Sequence, residues 1–207
     1  MNWLLEIKKP FVWMLRFRHR CGYGVHSPFA FSLITDVMYE KRAYYAYARL
    51  EQEQKRQGLA GVEWTGSCKM NRFLFRLVNR IQPSVIVEVG RPSLASHYMQ
   101  AAKPSASYLF ASDLSELFLE TGVPVDLLYL NDWKRPEVME QAFEVCVQRV
   151  ASSGVFVVHG IGYSKEMKAL WKRLQDDERV GITFDWYDVG LLYFDKTKIK
   201  QHYIVNF

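Results

Sequence analysis

Cysteine is scarce in this chain. There are three, Cys21, Cys68 and Cys146, an odd number set far apart. No CxxC and no Cys/His spacing occurs, so neither a disulfide framework nor a zinc site is indicated. Reduced thiols are the simplest reading, and a cytoplasmic location is expected. Long apolar runs are missing too. The longest are strand-length, whereas a membrane-spanning helix needs roughly 20 apolar residues. No leader peptide is expected, because Lys8, Lys9 and Pro10 interrupt the early apolar residues and no small-residue cleavage site follows Arg16–Arg20. Charge of one sign is not in large excess. The net +5 is a mild lean towards anionic partners, far from a basic tail. There is no repeat and no low-complexity segment. What is present is a 49% apolar chain of 207 residues, enough for one domain with a substantial core and a smaller appendage.

Residues 1–20 read as a helical arm. Trp3, Leu4 and Ile7 share one face, and Phe11, Met14 and Leu15 form a second stripe beyond Pro10, which suits a first helical turn. Arg16, Arg18, His19 and Arg20 end the arm, as basic residues do at a helix C-terminus. Such an arm packs on its own domain or on a second subunit. A homodimer through it is the expected partner, and nucleic acid or a membrane surface is not. Residues 21–31 form a Gly/Pro loop, with Ser27 as N-cap and Pro28 at the first position of a helix over Phe29–Tyr47. Residues 48–66 are polar and glycine-bearing. They suggest a division into a helical arm and loop, 1–66, and a main domain, 67–207. Residues 67–82 are strongly helical. Phe73, Leu74, Leu77, Val78 and Ile81 are inward, and Lys69, Arg72, Arg76 and Arg80 are expected on a solvated face.

The stretch Pro83–Ala95, PSVIVEVGRPSLA, organises the rest. A buried strand, Val85–Val89, runs into Gly90 and then a helix expected over Ser93–Ala102. Further apolar runs at Tyr108–Ala111, Val125–Leu130 and Val155–Val158 read as strands. Helical patterns at Pro136–Ala151 and Lys165–Asp177 separate them. Ile182–Tyr187, Leu191–Phe194 and Tyr203–Phe207 are strand-like and closely spaced. The alternation implies an α/β fold with a Rossmann-like, mostly parallel sheet, helices on both faces, an antiparallel C-terminal edge and an N-terminal helical extension.

VIVEVG, VDLLYLND and GVFVVHGIGYSKEM, followed by a terminal hairpin, resemble the Rossmann-like S-adenosylmethionine-dependent methyltransferases, closest to the O-methyltransferase-like branch. The phrases GVHSPFAFSLITDVMYEKRAYYAY and KQHYIVNF resemble a methyltransferase-like group from Bacteroidetes bacteria. The resemblance implies S-adenosylmethionine as cofactor. Glu88 and Gly90 stand at the family's first-strand acidic-x-glycine positions, where a glycine turn lets backbone approach the ligand. Asp113, after the second strand, stands where a carboxylate accepts from the ribose. Asn131 and Asp132 end the next strand, and His159 ends the one after. His159 is the general-base candidate, and Asp132 either orients substrate or caps the next helix.

The sequence also departs from the family pattern. Arg91-Pro92 replaces a permissive glycine loop. Only Leu114–Pro124 separates Asp113 from the next strand, too few residues for the helix and strand the family fits there. Asn131 and His159-Gly160 replace carboxylates that hold a metal in the metal-assisted branch, so no metal is expected. Two readings stay open. One is a degenerate, non-catalytic member with an interaction or regulatory role. The other is an active methyltransferase acting on an oxygen or nitrogen of a small-molecule acceptor.

Overall fold

The computed structural model describes residues 10–59, 67–119 and 122–206. Trp3, Leu4, Ile7 and Gly61 lie outside the described residues. Seven strands form one sheet: β1 Val85–Gly90, β2 Ser107–Ala111, β3 Val125–Asn131, β4 Val150–His159, β5 Ile182–Asp185, β6 Val189–Tyr193 and β7 Gln201–Ile204. Their spatial order is β2-β1-β3-β4-β6-β5-β7. β1 pairs in parallel with both β2 and β3, and β3 pairs in parallel with β4. β6 runs antiparallel to β4 and to β5, while β7 is parallel to β5. Only β6 is reversed, so the other six strands end on one edge. The expected α/β, mostly parallel sheet with an antiparallel C-terminal edge is what the chain forms, β6 supplying the antiparallel pairing.

Alternation along the strands sorts two cores. Ile86, Leu127, Tyr129, Val155 and Val157 face helices α1 (Pro28–Leu33), α3 (Cys68–Ile81) and α4 (Ala95–Ala102). Val87, Val89, Leu128, Leu130, Phe156 and Val158 face α5 (Pro136–Val147) and α6 (Lys165–Asp176). Strands covered on both faces read as continuous apolar runs, and these do.

The N-terminal region departs from expectation. Ser27 does cap α1, its Oγ accepting from the Ala30 N–H, with Pro28 at the first position. However, the expected helix Phe29–Tyr47 is broken. α1 leads into a wider turn, Ile34–Met38, where the Tyr39 N–H donates to the Ile34 carbonyl five residues back, a π-type closure. The chain then leaves helical geometry, and a new helix, α2, covers Tyr45–Leu59, where a polar loop was expected. The cause lies in α3. Arg76 is buried, with Nε donating to the Val37 carbonyl at 2.6 Å and Nη2 to the Met38 carbonyl at 3.2 Å. The guanidinium thus takes up carbonyls that a continuing helix would have used. The expected solvated basic face holds for Lys69 and Arg80, which are exposed, and for Arg72, which is partly exposed and ion-paired with Glu51, but not for Arg76.

Residues 10–15 are helical and lie against the end of β5. Arg16 Nη1 donates to Asp185 Oδ1 at 2.7 Å and to the Asp185 carbonyl at 3.2 Å. Asn206 closes the same corner, its backbone N–H donating to the His19 carbonyl and its side-chain amide to the Trp13 carbonyl, both at 2.9 Å.

Candidate functional site

The register of the sheet assembles the candidate residues. Gly90 pairs with Asn131 across β1 and β3, and Leu130 pairs with Val158, so His159 follows one place beyond. Glu88, Asn131 and His159 share the parity of the α3/α4 face and lie at the edge where the parallel strands end. That edge is where ligands bind in open α/β sheets.

Glu88 is wholly buried. Its Oε1 accepts from Ser93 Oγ at 2.9 Å, and its Oε2 accepts from the Tyr108 hydroxyl. Ser93 Oγ in turn accepts from the Ala95 N–H at 3.3 Å, which ties the start of α4 to the same carboxyl. Burial pushes Glu88 up to about 7, against the opposing pull of hydrogen bonds from Tyr108, Ser93 and Asn131.

Gly90 turns the chain with φ +132, a conformation that side chains rarely adopt. A Cβ there would lie 2.8 Å from the Asn131 carbonyl carbon and 2.9 Å from the Asp132 nitrogen. The glycine therefore admits the neighbouring strand's own backbone. Two further bonds zip this junction: the Arg91 N–H donates to the Asn131 carbonyl at 3.3 Å, and Asn131 Nδ2 donates to the Arg91 carbonyl at 3.1 Å. Pro92 stays on the surface, while Leu94 is buried.

His159 Nδ1 lies 2.9 Å from Asn131 Oδ1. Because Asn131 already donates through its amide nitrogen, its oxygen must accept, which places the proton on His159 Nδ1. The imidazole stacks towards Tyr129 at 6.4 Å and meets Tyr163 edge-on at 5.7 Å.

Asp132 points to the opposite face and is buried. Its Oδ2 accepts from Arg135 Nε at 2.7 Å, whereas its Oδ1 has no hydrogen-bond partner. It does not cap α5 with its side chain. That helix begins at Pro136 without a side-chain cap. Arg135 continues past Asp132: Nη2 donates to the Ser112 carbonyl at 2.8 Å, and Nη1 to Asp113 Oδ2 at 3.2 Å. One guanidinium thus links the ends of β3 and β2, the two strands that flank β1. Asp113 also accepts from the Ser115 N–H through Oδ1.

All six sequence candidates therefore meet at one edge, in two groups. Glu88, Gly90, Asn131 and His159 form one, and Asp132 and Asp113 are joined by Arg135 in the other. Sequence reasoning missed Arg135, Tyr108 and Ser93. Asp132 and Arg135, three residues apart beside a helix start, were the only local signal. Among the described residues, no group of three or more His, Cys, Asp and Glu side chains is placed to hold a metal ion. No described helix is long and apolar enough to cross a membrane.

Neither a scan of protein-family models nor a comparison with curated proteins finds a match. Solved structures do match. The SAH-bound methyltransferase of Podospora anserina aligns with a TM-score of 0.56 at 9% identity, over 82% of this chain and 96% of that one. The O-methyltransferase TomG of Streptomyces achromogenes, involved in tomaymycin synthesis and solved in complex with SAM, aligns at 0.53 with 14% identity, over 74% and 91%. The O-methyltransferase of Bacillus cereus, in complex with SAH, aligns at 0.50 with 13% identity, over 78% and 96%. The fold is that of the Rossmann-like methyltransferases.

Proposed function

We propose that this is a methyltransferase-like protein whose cofactor crevice is closed by its own side chains, and that it acts in interaction or regulation without transferring methyl groups. The observation that carries this reading is Arg135. Asp113 stands at the position for a ribose carboxylate, and it is held by a guanidinium that also bonds the Ser112 carbonyl and Asp132. A ribose hydroxyl bonding to Asp113 would compete with the Arg135 guanidinium for that carboxylate.

The other positions fit S-adenosylmethionine no better. Both Glu88 oxygens are occupied from within the protein, and the start of α4 is tied to Ser93. The space a glycine turn leaves for a ligand is taken by the Asn131–Asp132 backbone. β2 is an edge strand, and Leu114–Pro124, the stretch before β3, is too short for the helix and strand that the family's pocket wall would need. Fold alone does not carry function.

One observation favours the second reading, an active enzyme acting on an oxygen or nitrogen of a small acceptor. The buried Asp132 Oδ1 lacks a partner, and at the same sheet edge, on the other face, stands a histidine whose proton is fixed on Nδ1. In that reading His159 Nε2 is the base and Asp132 orients the acceptor.

Calorimetric titration with S-adenosylmethionine and S-adenosylhomocysteine separates the two. No heat of binding at millimolar ligand is expected for the wild-type protein. Micromolar binding would overturn closure and favour the enzyme. Arg135→Ala, titrated in parallel, reports whether this residue alone keeps the crevice shut.

A further inference from the structure

The N-terminal arm turns two different faces to its surroundings. Val12 and Arg16, four residues apart, face the body of the protein, and Arg16 is held by Asp185. The opposite face is apolar and bare. Phe11, Met14 and Leu15 are 62%, 63% and 81% exposed, with Trp13 and Phe17 beside them at about half exposure. Trp13 and Phe17 meet edge-on at 5.6 Å. The Arg20 guanidinium lies over both rings, 5.3 Å from Trp13 and 5.4 Å from Phe17. Arg18 and His19 are also exposed, as is Tyr23 in the following loop. Large exposed apolar side chains grouped in this way mark an interaction surface.

Charge decides what that surface fits. From Ile7 to Thr35 the sequence contains no Asp or Glu, and it carries Lys8, Lys9, Arg16, Arg18 and Arg20. A symmetric dimer through the arm would bring this patch against its own copy, since a two-fold contact pairs the same surface on both subunits. Arg18 and Arg20 would then meet a second copy of a segment, 7–35, that holds no carboxylate to answer them. A lipid surface with anionic headgroups has the complementary charge, and it accepts aromatic and aliphatic side chains just below. Trp at such a boundary, with arginines reaching the headgroups, is the composition that interfacial helices use.

We propose that the arm docks the protein on an anionic membrane surface, with Phe11, Met14 and Leu15 in the headgroup–acyl boundary and Arg18 and Arg20 on the lipid phosphates. The arm lies against the end of β5, which shares an edge with His159, so docking brings the membrane surface close to the site edge. This inference is independent of whether the crevice takes a cofactor.

The test is flotation of the full-length protein with two kinds of vesicle: phosphatidylcholine alone, and phosphatidylcholine with phosphatidylglycerol. Binding is expected only to the anionic vesicles and should weaken with added salt. Leu15→Asp should lower the partition coefficient at least tenfold. Arg18→Gln and Arg20→Gln should each lower it roughly fivefold. Leu15 and Arg18 are exposed, so those variants should melt as wild type does, with Met14→Asp standing in for Leu15→Asp if it melts early; Arg20 also packs over Trp13 and Phe17, so Arg18→Gln carries the charge test if Arg20→Gln melts early. Failure to float with anionic vesicles would overturn the proposal. So would a concentration-dependent dimer in sedimentation that Leu15→Asp dissolves while vesicle binding is absent. Equal binding to both vesicle types would remove the role given to the arginines and overturn it as stated.

Discussion

Replacing Glu88 by Gln tests the buried carboxyl directly. Its ordinary value is 4.5, and burial raises it to about 7 in the folded chain. Between those values the folded protein holds a proton that the unfolded chain has released, so stability falls as pH rises through this window. Below about pH 4.5 both states are protonated and the group costs nothing. Above about pH 7 both are ionised, and the folded state carries the full penalty of a buried charge. The gap corresponds to about 3 kcal/mol. Gln cannot ionise, yet like a protonated carboxyl it puts one accepting oxygen and one donating group in place of the two carboxylate oxygens, with one N–H more than the acid. Ser93 and Tyr108 are hydroxyls and can turn to match it. The two proteins should therefore agree within about 1 kcal/mol at pH 4.5. At pH 8 the Glu88→Gln variant should be the more stable by about 3 kcal/mol. Urea unfolding of both proteins at pH 4.5, 6, 7 and 8 measures the difference, and every other titrating group cancels from it. A difference that stays flat across the range, or that falls, would refute the reasoning.

Two other substitutions probe the frame around the site. Arg76→Ala removes the donors from the Val37 and Met38 carbonyls and leaves buried acceptors unpaired, for a loss of about 2–4 kcal/mol in urea unfolding. Limited proteolysis should then cut first within residues 28–59, and an unchanged cleavage pattern would count against the capping role. Gly90→Ala forces a side chain into a positive-φ turn and against the backbone of Asn131, costing about 2–5 kcal/mol. A wild-type unfolding midpoint would mean that the β1–β3 junction yields more easily than its geometry implies.

The sheet was legible because its central strands are buried on both faces. Val85–Val89, Val125–Leu130 and Val155–Val158 are unbroken apolar runs bounded by glycine, proline or polar residues, and such runs need little context to interpret. The helical extension was less so. Its aromatic pattern from Phe29 to Tyr47 is continuous, but what breaks it is Arg76, some 40 residues away. An arginine in an amphipathic helix reads locally as solvent-facing. Its burial depends on carbonyls that another segment presents. The site divides in the same way. Glu88, Gly90, Asn131, Asp132 and His159 were readable as strand ends, since the end of a strand is a local event. The bonds that join them to Tyr108, Ser93 and Arg135 cross the sheet, and no spacing rule encodes those.

Asn206 bonds the carbonyls of Trp13 and His19, and Val205 bonds that of Asp185, the residue that also holds Arg16. During synthesis the arm emerges well before its clasp, which lies some 190 residues later in the sequence. At about 5–20 residues per second, the intervening chain takes roughly 10–40 s to make. For that interval Phe11, Trp13, Met14, Leu15 and Phe17 lack the corner that orients them. Nascent chains carry this aromatic segment unclasped, and refolding from denaturant, where arm and clasp are present together from the start, would not reproduce that order of events.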